Sequence, residues 1–177
     1  MLKKVLIGAT GVVVVFLGVV AMQPADYTVT RSATMAARPA KVFALVNNIR
    51  RWNDWSPWAK MDPSQTITYE GPVAGIGAAQ SWNGKKTGTG RMELVRSDPN
   101  RLIGFRMEFR TPMAGTADIE FAFAASGRGT AVTWTMRGKN NFVAKAFGLF
   151  MSMDKMMGGH FETGLAGIKA IVETSRR

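Results

Sequence analysis

The stretch RLIGFRMEFRTPMAGTADIEFAFAASGRGTAVTWTMR, residues 101–137, decides the fold. Ile103, Phe105, Met107 and Phe109 alternate with Arg106, Glu108 and Arg110. Ile119, Phe121 and Phe123 alternate with Asp118 and Glu120, and Val132, Trp134 and Met136 with Thr133, Thr135 and Arg137. A period of two sends each apolar set to one face of an extended strand and each polar set to the other. One apolar and one wet face is the signature of an antiparallel sheet covered on one side. Turn signals at Pro112 and Ser126-Gly127 divide the stretch into strands predicted over 101–110, 115–125 and 130–137.

Working outward, Asp98-Pro99-Asn100 closes a further strand predicted over 88–96, and shorter ones are predicted over 65–70 and 77–83. Residues 27–35 (YTVTRSATM) alternate and are rich in Thr and Val, which reads as the first strand. Pro39 suits a first helical turn, and Val42, Leu45, Val46 and Ile49 follow at helical spacing. Arg50–Lys60 is short-helical or irregular; it carries Trp52, Trp55 and Trp58 and is broken by Pro57. The chain closes on one long helical pattern over 142–174, with Val143, Phe147, Phe150, Met157, Phe161, Leu165, Ile168 and Val172 on one stripe. Gly158-Gly159 is its predicted bend, because Gly weakens a helix interior. The order implies an α+β fold: a curved antiparallel sheet of about seven strands, its apolar face covered by the C-terminal helix. A strongly curved sheet and one helix leave space between them, which invites a cavity.

Composition removes several chemistries. The 177 residues contain no cysteine, which excludes disulfides, thiolate nucleophiles and Cys-ligated metals. His160 is the one histidine, and no DxD or EF-hand-like spacing of carboxylates occurs, so no metal ligand is assigned. No Ser/His/Asp constellation or close carboxylate pair is present; no catalytic residue and no cofactor are assigned, and whether the chain is an enzyme stays open. Gly84-Lys85-Lys86-Thr87-Gly88 lacks phosphate-loop spacing and reads as a basic hairpin tip. The formal net charge is +11, favouring anionic partners, but the basic residues are spread singly and no specific nucleic acid is expected.

Residues 5–22 (VLIGATGVVVVFLGVVAM) carry no charge and follow Lys3-Lys4. In a helix they would span about 27 Å, close to the hydrocarbon thickness of a bilayer. The run is longer than a usual signal-peptide core, which favours an uncleaved anchor; Val19-Val20-Ala21 nevertheless offers a cleavage site, leaving secretion as the alternative. The lysines before the span place the N-terminus in the cytoplasm. The expectation is a bacterial-type inner-membrane protein with one span, residues 1–25 as anchor segment and residues 26–177 as an extracytoplasmic domain.

Three motifs carry a resemblance. Arg31–Asn48 (R-x-x-x-M-x-A-R-P-A-K-V-F-A-L-V-N-N), Arg51–Trp58 (R-W-N-D-W-S-P-W), and Gly148–Gly158 (G-L-F-M-S-M-D-K-M-M-G) followed by Phe161–Leu165 (F-E-x-G-L) resemble the SRPBCC superfamily, in its polyketide cyclase/dehydrase-like branch. The resemblance covers about residues 26–174 and implies the START/Bet v 1-like helix-grip fold. Members of the superfamily bind lipids, sterols, hormones or polyketides beneath the C-terminal helix, and only some are enzymes. The expected function is thus a membrane-anchored or exported binding protein for a hydrophobic small molecule or lipid. The alternatives are a cyclase/dehydrase-like enzyme and a basic-surface protein-interaction module.

The inward faces nominate a ligand site at Trp55, Phe105, Met107, Phe109, Phe121, Phe123, Trp134, Phe147, Phe150, Met157 and Phe161. The tryptophans of Arg51–Trp58 admit two readings, a cavity lip or a plug in the core. Asp154 falls in the middle of the helix's apolar stripe, where an unpaired carboxylate would be costly. It therefore either pairs with Arg31, which shares strand phase with Val29 and Met35, or receives a hydrogen bond from a ligand's polar head.

Overall fold

The computed structural model describes residues 2–174. The helix α1 (Leu2–Met22) precedes β1 (Asp26–Met35), α2 (Pro39–Asn47), a 3-10 turn (Ile49–Arg51) and the short helices α3 (Trp52–Trp55) and α4 (Pro57–Met61). Then come β2 (Thr66–Glu70), β3 (Ala79–Gly84), β4 (Gly88–Asp98), β5 (Leu102–Thr111), β6 (Gly115–Ser126) and β7 (Gly129–Lys139), followed by α5 (Phe142–Gly148) and α6 (Met153–Thr174). The seven strands form one antiparallel sheet in the order β1-β7-β6-β5-β4-β3-β2.

The alternation sets the register. Phe121 lies opposite both Ile103 and Trp134, so inward side chains of three adjacent strands meet in one row. β4 breaks its register with β5 at Thr89/Gly90 and at Leu94/Arg96. Such irregularities bend a strand and increase its twist. Gly90 is required there, because a Cβ would strike the Trp82 ring and the Glu108 carbonyl.

The curved sheet grips α6. Phe161, Leu165, Ile168 and Val172 are buried on it, and the glycines between them let the helix approach closely. A Cβ on Gly164 would lie 2.6 Å from Trp134 Cζ3, and one on Gly167 2.8 Å from the Trp55 carbonyl oxygen. α2 starts with Pro39 and buries Val42, Phe43, Leu45 and Val46. Trp52 and Trp55 fill the space between these helices and the sheet, edge-on to Phe105, Phe121 and Trp134.

The single helix expected over 142–174 is two. Leu149–Ser152 is non-helical, and Ser152 starts α6 by accepting a hydrogen bond from the Lys155 N–H at 3.3 Å. Asn141 caps α5 in the same way, accepting from the Ala144 N–H at 2.8 Å. Gly158-Gly159 does not interrupt the helix; both lie inside α6. The break uncouples the two halves of the expected stripe, so Val143, Phe147 and Phe150 are exposed rather than packed on the sheet.

Among the described residues, no helix is long and apolar enough to cross a membrane. The apolar run whose side chains are described extends from Leu6 to Met22, and the span expected at 5–22 is not supported by it. α1 is helical, its large apolar side chains are mostly exposed, and its C-terminal end meets α5, where Lys145 Nζ donates to the Ala21 carbonyl at 3.4 Å.

Candidate functional site

Between α6 and the sheet lies a cavity of about 280 Å³. α6 contributes Met153, Met157 and Phe161; the tryptophan segment contributes Trp52, Ser56 and Trp58; the sheet contributes inward residues from all seven strands, Tyr27 on β1 and Trp134 on β7 among them. One end is bounded by the β5–β6 turn and the start of β6, residues 112–116, and by Asn140, Asn141 and Ala144 around the start of α5. Most of these residues are exposed, so the cavity opens here. The walls are predominantly apolar, as ligand cavities are.

Of the residues nominated from sequence, Met107, Phe109, Trp134, Met157 and Phe161 come together around this space. Trp55, Phe105, Phe121 and Phe123 lie outside its lining; they are buried in the core, Phe121 edge-on to Trp55 and Phe105, and Phe123 edge-on to Phe43. Phe147 and Phe150 face outward on and just after α5. Asp154 is outside too, its side chain 51% exposed. Both readings of the tryptophan cluster hold in part: Trp52 and Trp55 are buried in the core, while Trp58 and one side of Trp52 reach the cavity.

Sequence reasoning missed the polar members. Ser56 and Gln80 are buried, at 1% and 3% exposure, and both line the cavity. Ser56 Oγ, Gln80 Oε1 and Trp134 Nε1 have no hydrogen-bond partner among the described residues. Trp55 Nε1 shares that condition away from the cavity. Gln80 was detectable, since it keeps strand phase with Ala78 and Trp82, a polar residue at an inward position. Ser56 offered no such signal, lying between Trp55 and Pro57 at a helix junction. Burial raises the Tyr27 phenol above its ordinary pKa, keeping a neutral hydroxyl on this wall.

Two charged arrangements hold the frame. Asp62 accepts from the Lys86 N–H at 2.7 Å, the Ser64 hydroxyl at 2.7 Å and the Thr87 N–H at 3.3 Å. These bonds, the Lys86 N–H foremost, bring its carboxyl down to about 2. The β3–β4 hairpin tip is thereby fixed, and Trp82 Nε1 donates to the Thr87 carbonyl at 3.3 Å. On the other side, Arg31 donates to both Asp154 oxygens, at 2.7 and 3.0 Å, and to Glu162 at 2.8 Å. Arg31 holds Asp154 below the usual carboxylate range, and the two acids, Asp154 first, raise Arg31. The pairing expected for Asp154 is present, but on the surface: the break before Ser152 shifts α6 out of phase with α5. Gly158 gives Arg31 room, because a Cβ there would strike the guanidinium.

His160 lies at 5.9 Å from the Trp58 ring and faces no acid–base partner in the cavity lining. Among the described residues, no group of three or more His, Asp or Glu is placed to hold a metal ion.

The arrangement matches known proteins in fold and in sequence profile. Protein CV1439 from Chromobacterium violaceum superposes with a TM-score of 0.61 at 13% identity, covering 82% of this chain and 96% of its own. The structure of Ara h 8.0201 gives 0.58 at 12% identity, covering 84% and 99%. The di-domain ARO/CYC StfQ of the steffimycin biosynthetic pathway gives 0.61 at 11% identity, covering 85% of this chain and 52% of that one. At these identities the likeness is one of fold, and it agrees with the helix-grip architecture. No curated protein matches. The family described as polyketide cyclase / dehydrase and lipid transport matches residues 26–173, essentially everything after α1. The chain belongs to that family.

Proposed function

We propose that the protein binds a hydrophobic small molecule or lipid in the cavity beneath α6. The observation that carries this reading is the cavity itself: about 280 Å³ of largely apolar space, open at one end, beside the hydrophobic core. Binding works by removing apolar ligand surface from water, at about 25 cal/mol per Å² buried. The family's name joins lipid transport with cyclase chemistry, and the binding half is favoured here because the cavity lining holds no acid–base pair. Native mass spectrometry of the gently purified whole chain tests it. Co-purifying apolar ligand that disappears when the cavity is filled by substitution supports the reading; a chain that is empty, and that takes up no apolar probe, overturns it.

The same proposal places the chain at a membrane, with the domain on the extracytoplasmic side. Supporting this are the uncharged run at 5–22, the lysines before it, and the exposed apolar side chains of α1. α5 adds to them: it reaches the end of α1 through Lys145 and the cavity through Ala144, and Phe147 on it and Phe150 just after it are exposed. Protease added to spheroplasts should then digest the domain. Full protection would reverse the orientation, and recovery of the domain in the soluble periplasmic fraction would mean a cleaved leader.

A further inference from the structure

A groove on the outer face of the sheet adjoins the mouth of the cavity. It measures about 380 Å³, and its lining shares Tyr27, Thr116 and Lys139 with the cavity lining. The strand register builds it. Arg106 on β5, Asp118 on β6, Arg137 on β7 and Thr28 on β1 stand opposite one another in one row. They alternate with the buried Val29, Ile119 and Met136, so the row lies on the face turned away from α6. Asp118 stands between two arginines and accepts from Arg106 Nε at 2.6 Å. The Arg137 side chain is left with no hydrogen bond or ion pair among the described residues. Two residues on, Lys139 shares this face, its Nζ 3.9 Å from Asp26, too far for a hydrogen bond. Among the described residues, the exposed Thr28 and Thr116 hydroxyls have no side-chain partner either. Three cations line the groove against two carboxylates, so one positive charge stays unmatched.

We propose that this groove binds a tetrahedral oxyanion, a phosphate or sulfonate group, held by Arg137 and Lys139. A guanidinium fork takes two oxygens of such a group, an ammonium takes a third, and threonine hydroxyls donate to the lone pairs that remain. A planar carboxylate has two oxygens and engages fewer of these donors. Both cations are exposed, so a free anion is held weakly here. The shared wall changes this. Tyr27 lies across Gly138 at the junction, where a Cβ on β7 would strike its hydroxyl. An oxyanion beside Lys139 therefore stands at the opening of the apolar cavity, and a tail joined to it enters through the open end. Head and tail bound together gain from the effective concentration that the link provides. The anion site stands on the groove alone; its link to a tail rests on the binding reading above.

The full chain in nanodiscs of neutral phosphatidylcholine tests both parts, with empty nanodiscs as the partition control. Decyl phosphate and decanol are titrated against tryptophan emission, and inorganic phosphate is followed by broadening of its phosphorus resonance. Decyl phosphate should bind about tenfold tighter than decanol at low salt, and the advantage should shrink as salt rises. Arg137→Gln should bring decyl phosphate to the level of decanol. It should leave decanol binding and the thermal midpoint unchanged, since the side chain has no partner to lose. Arg137→Lys should recover part of the loss, because it restores the charge without the fork. Inorganic phosphate broadened by the parent and not by Arg137→Gln, with no gain from the decyl tail, supports the anion site and assigns it to free phosphate. Decyl phosphate no tighter than decanol, together with phosphate broadening indifferent to Arg137→Gln, overturns the anion site while leaving the binding function standing. An advantage of decyl phosphate that survives Arg137→Gln places the anion elsewhere and overturns it too. If neither decyl probe binds, the binding function falls with the link to a tail. Broadening of inorganic phosphate that depends on Arg137 then still supports the anion site, and its absence overturns it.

Discussion

Trp134 lies flat on Phe161, the ring centroids 4.1 Å apart and the planes 8° from parallel. This stack joins β7 to α6 and forms part of the cavity wall, and Gly164 supplies the space for it. Phe161→Ala should cost about 3–5 kcal/mol, the range for deleting a buried phenyl ring. Gly164→Val should also destabilise, because its side chain would enter the indole. Urea unfolding followed by tryptophan emission measures both; a Phe161→Ala midpoint equal to that of the parent would mean that the stack does not hold the helix.

Met107 lies on β5 at the cavity wall and is only partly buried. Met107→Trp should fill space that a ligand would occupy, lowering ligand uptake about tenfold or more while leaving the unfolding midpoint within about 1 kcal/mol of the parent. Native mass spectrometry and urea unfolding of the same preparation separate the two effects. A ligand load unchanged by the substitution would move the site elsewhere.

Asp62 has a folded-state pKa of about 2, below its ordinary value of 3.8. A depressed carboxyl favours the folded state above its unfolded pKa, and that contribution disappears as pH falls through the folded one. The parent should therefore lose stability between about pH 4 and pH 2, and Asp62→Asn should lose less over that window. Urea midpoints of both proteins across the window check this; parallel curves would remove Asp62 as the source.

Asp154 faces Arg31 outside the cavity. Asp154→Asn and Asp154→Leu should both lower the thermal midpoint and leave bound ligand content unchanged. Gly158→Ala displaces the Arg31 guanidinium, so its effect should be non-additive with Asp154→Asn. Loss of ligand in either Asp154 variant, at unchanged stability, would restore the ligand-orienting role.

The chain has no cysteine, so single-cysteine labelling is unambiguous. Phe150→Cys carrying a polarity-sensitive dye should report an apolar environment when the full chain is in liposomes. Arg128→Cys lies in the turn before β7, at the opposite end from α5 of an eleven-residue strand about 33 Å long, and its dye should remain in water. Identical wet spectra from both sites would remove α5 from the membrane surface.

The strands were legible because each places its apolar residues at every second position over a long run; 101–110 became Leu102–Thr111 and 130–137 became Gly129–Lys139. The helix break was not, although its signal stands in the sequence: Ser152 followed by Asp154 is a cap residue with an acid in the first turn. The apolar residues on either side continue one helical phase, which masks the break. Which inward residues meet a void and which meet one another was not legible at all. Phe105 and Phe109 share a face of β5, yet Phe105 is in the core and Phe109 is on the cavity wall. That difference comes from the curvature of the sheet, which no period in β5 encodes.

β1 pairs only with β7, Asp26 opposite Lys139 and Met35 opposite Thr130. During synthesis the first strand of the sheet thus waits for the last, and Val29 and Met35 have no strand partner until nearly the whole sheet has been made. Contacts so distant in sequence make folding slow. They also leave an unpaired strand that invites association with other chains. A fragment ending before Gly129 should collect in aggregates, and the complete chain should need a holding chaperone, or passage through a translocon in extended form, until its C-terminal third arrives.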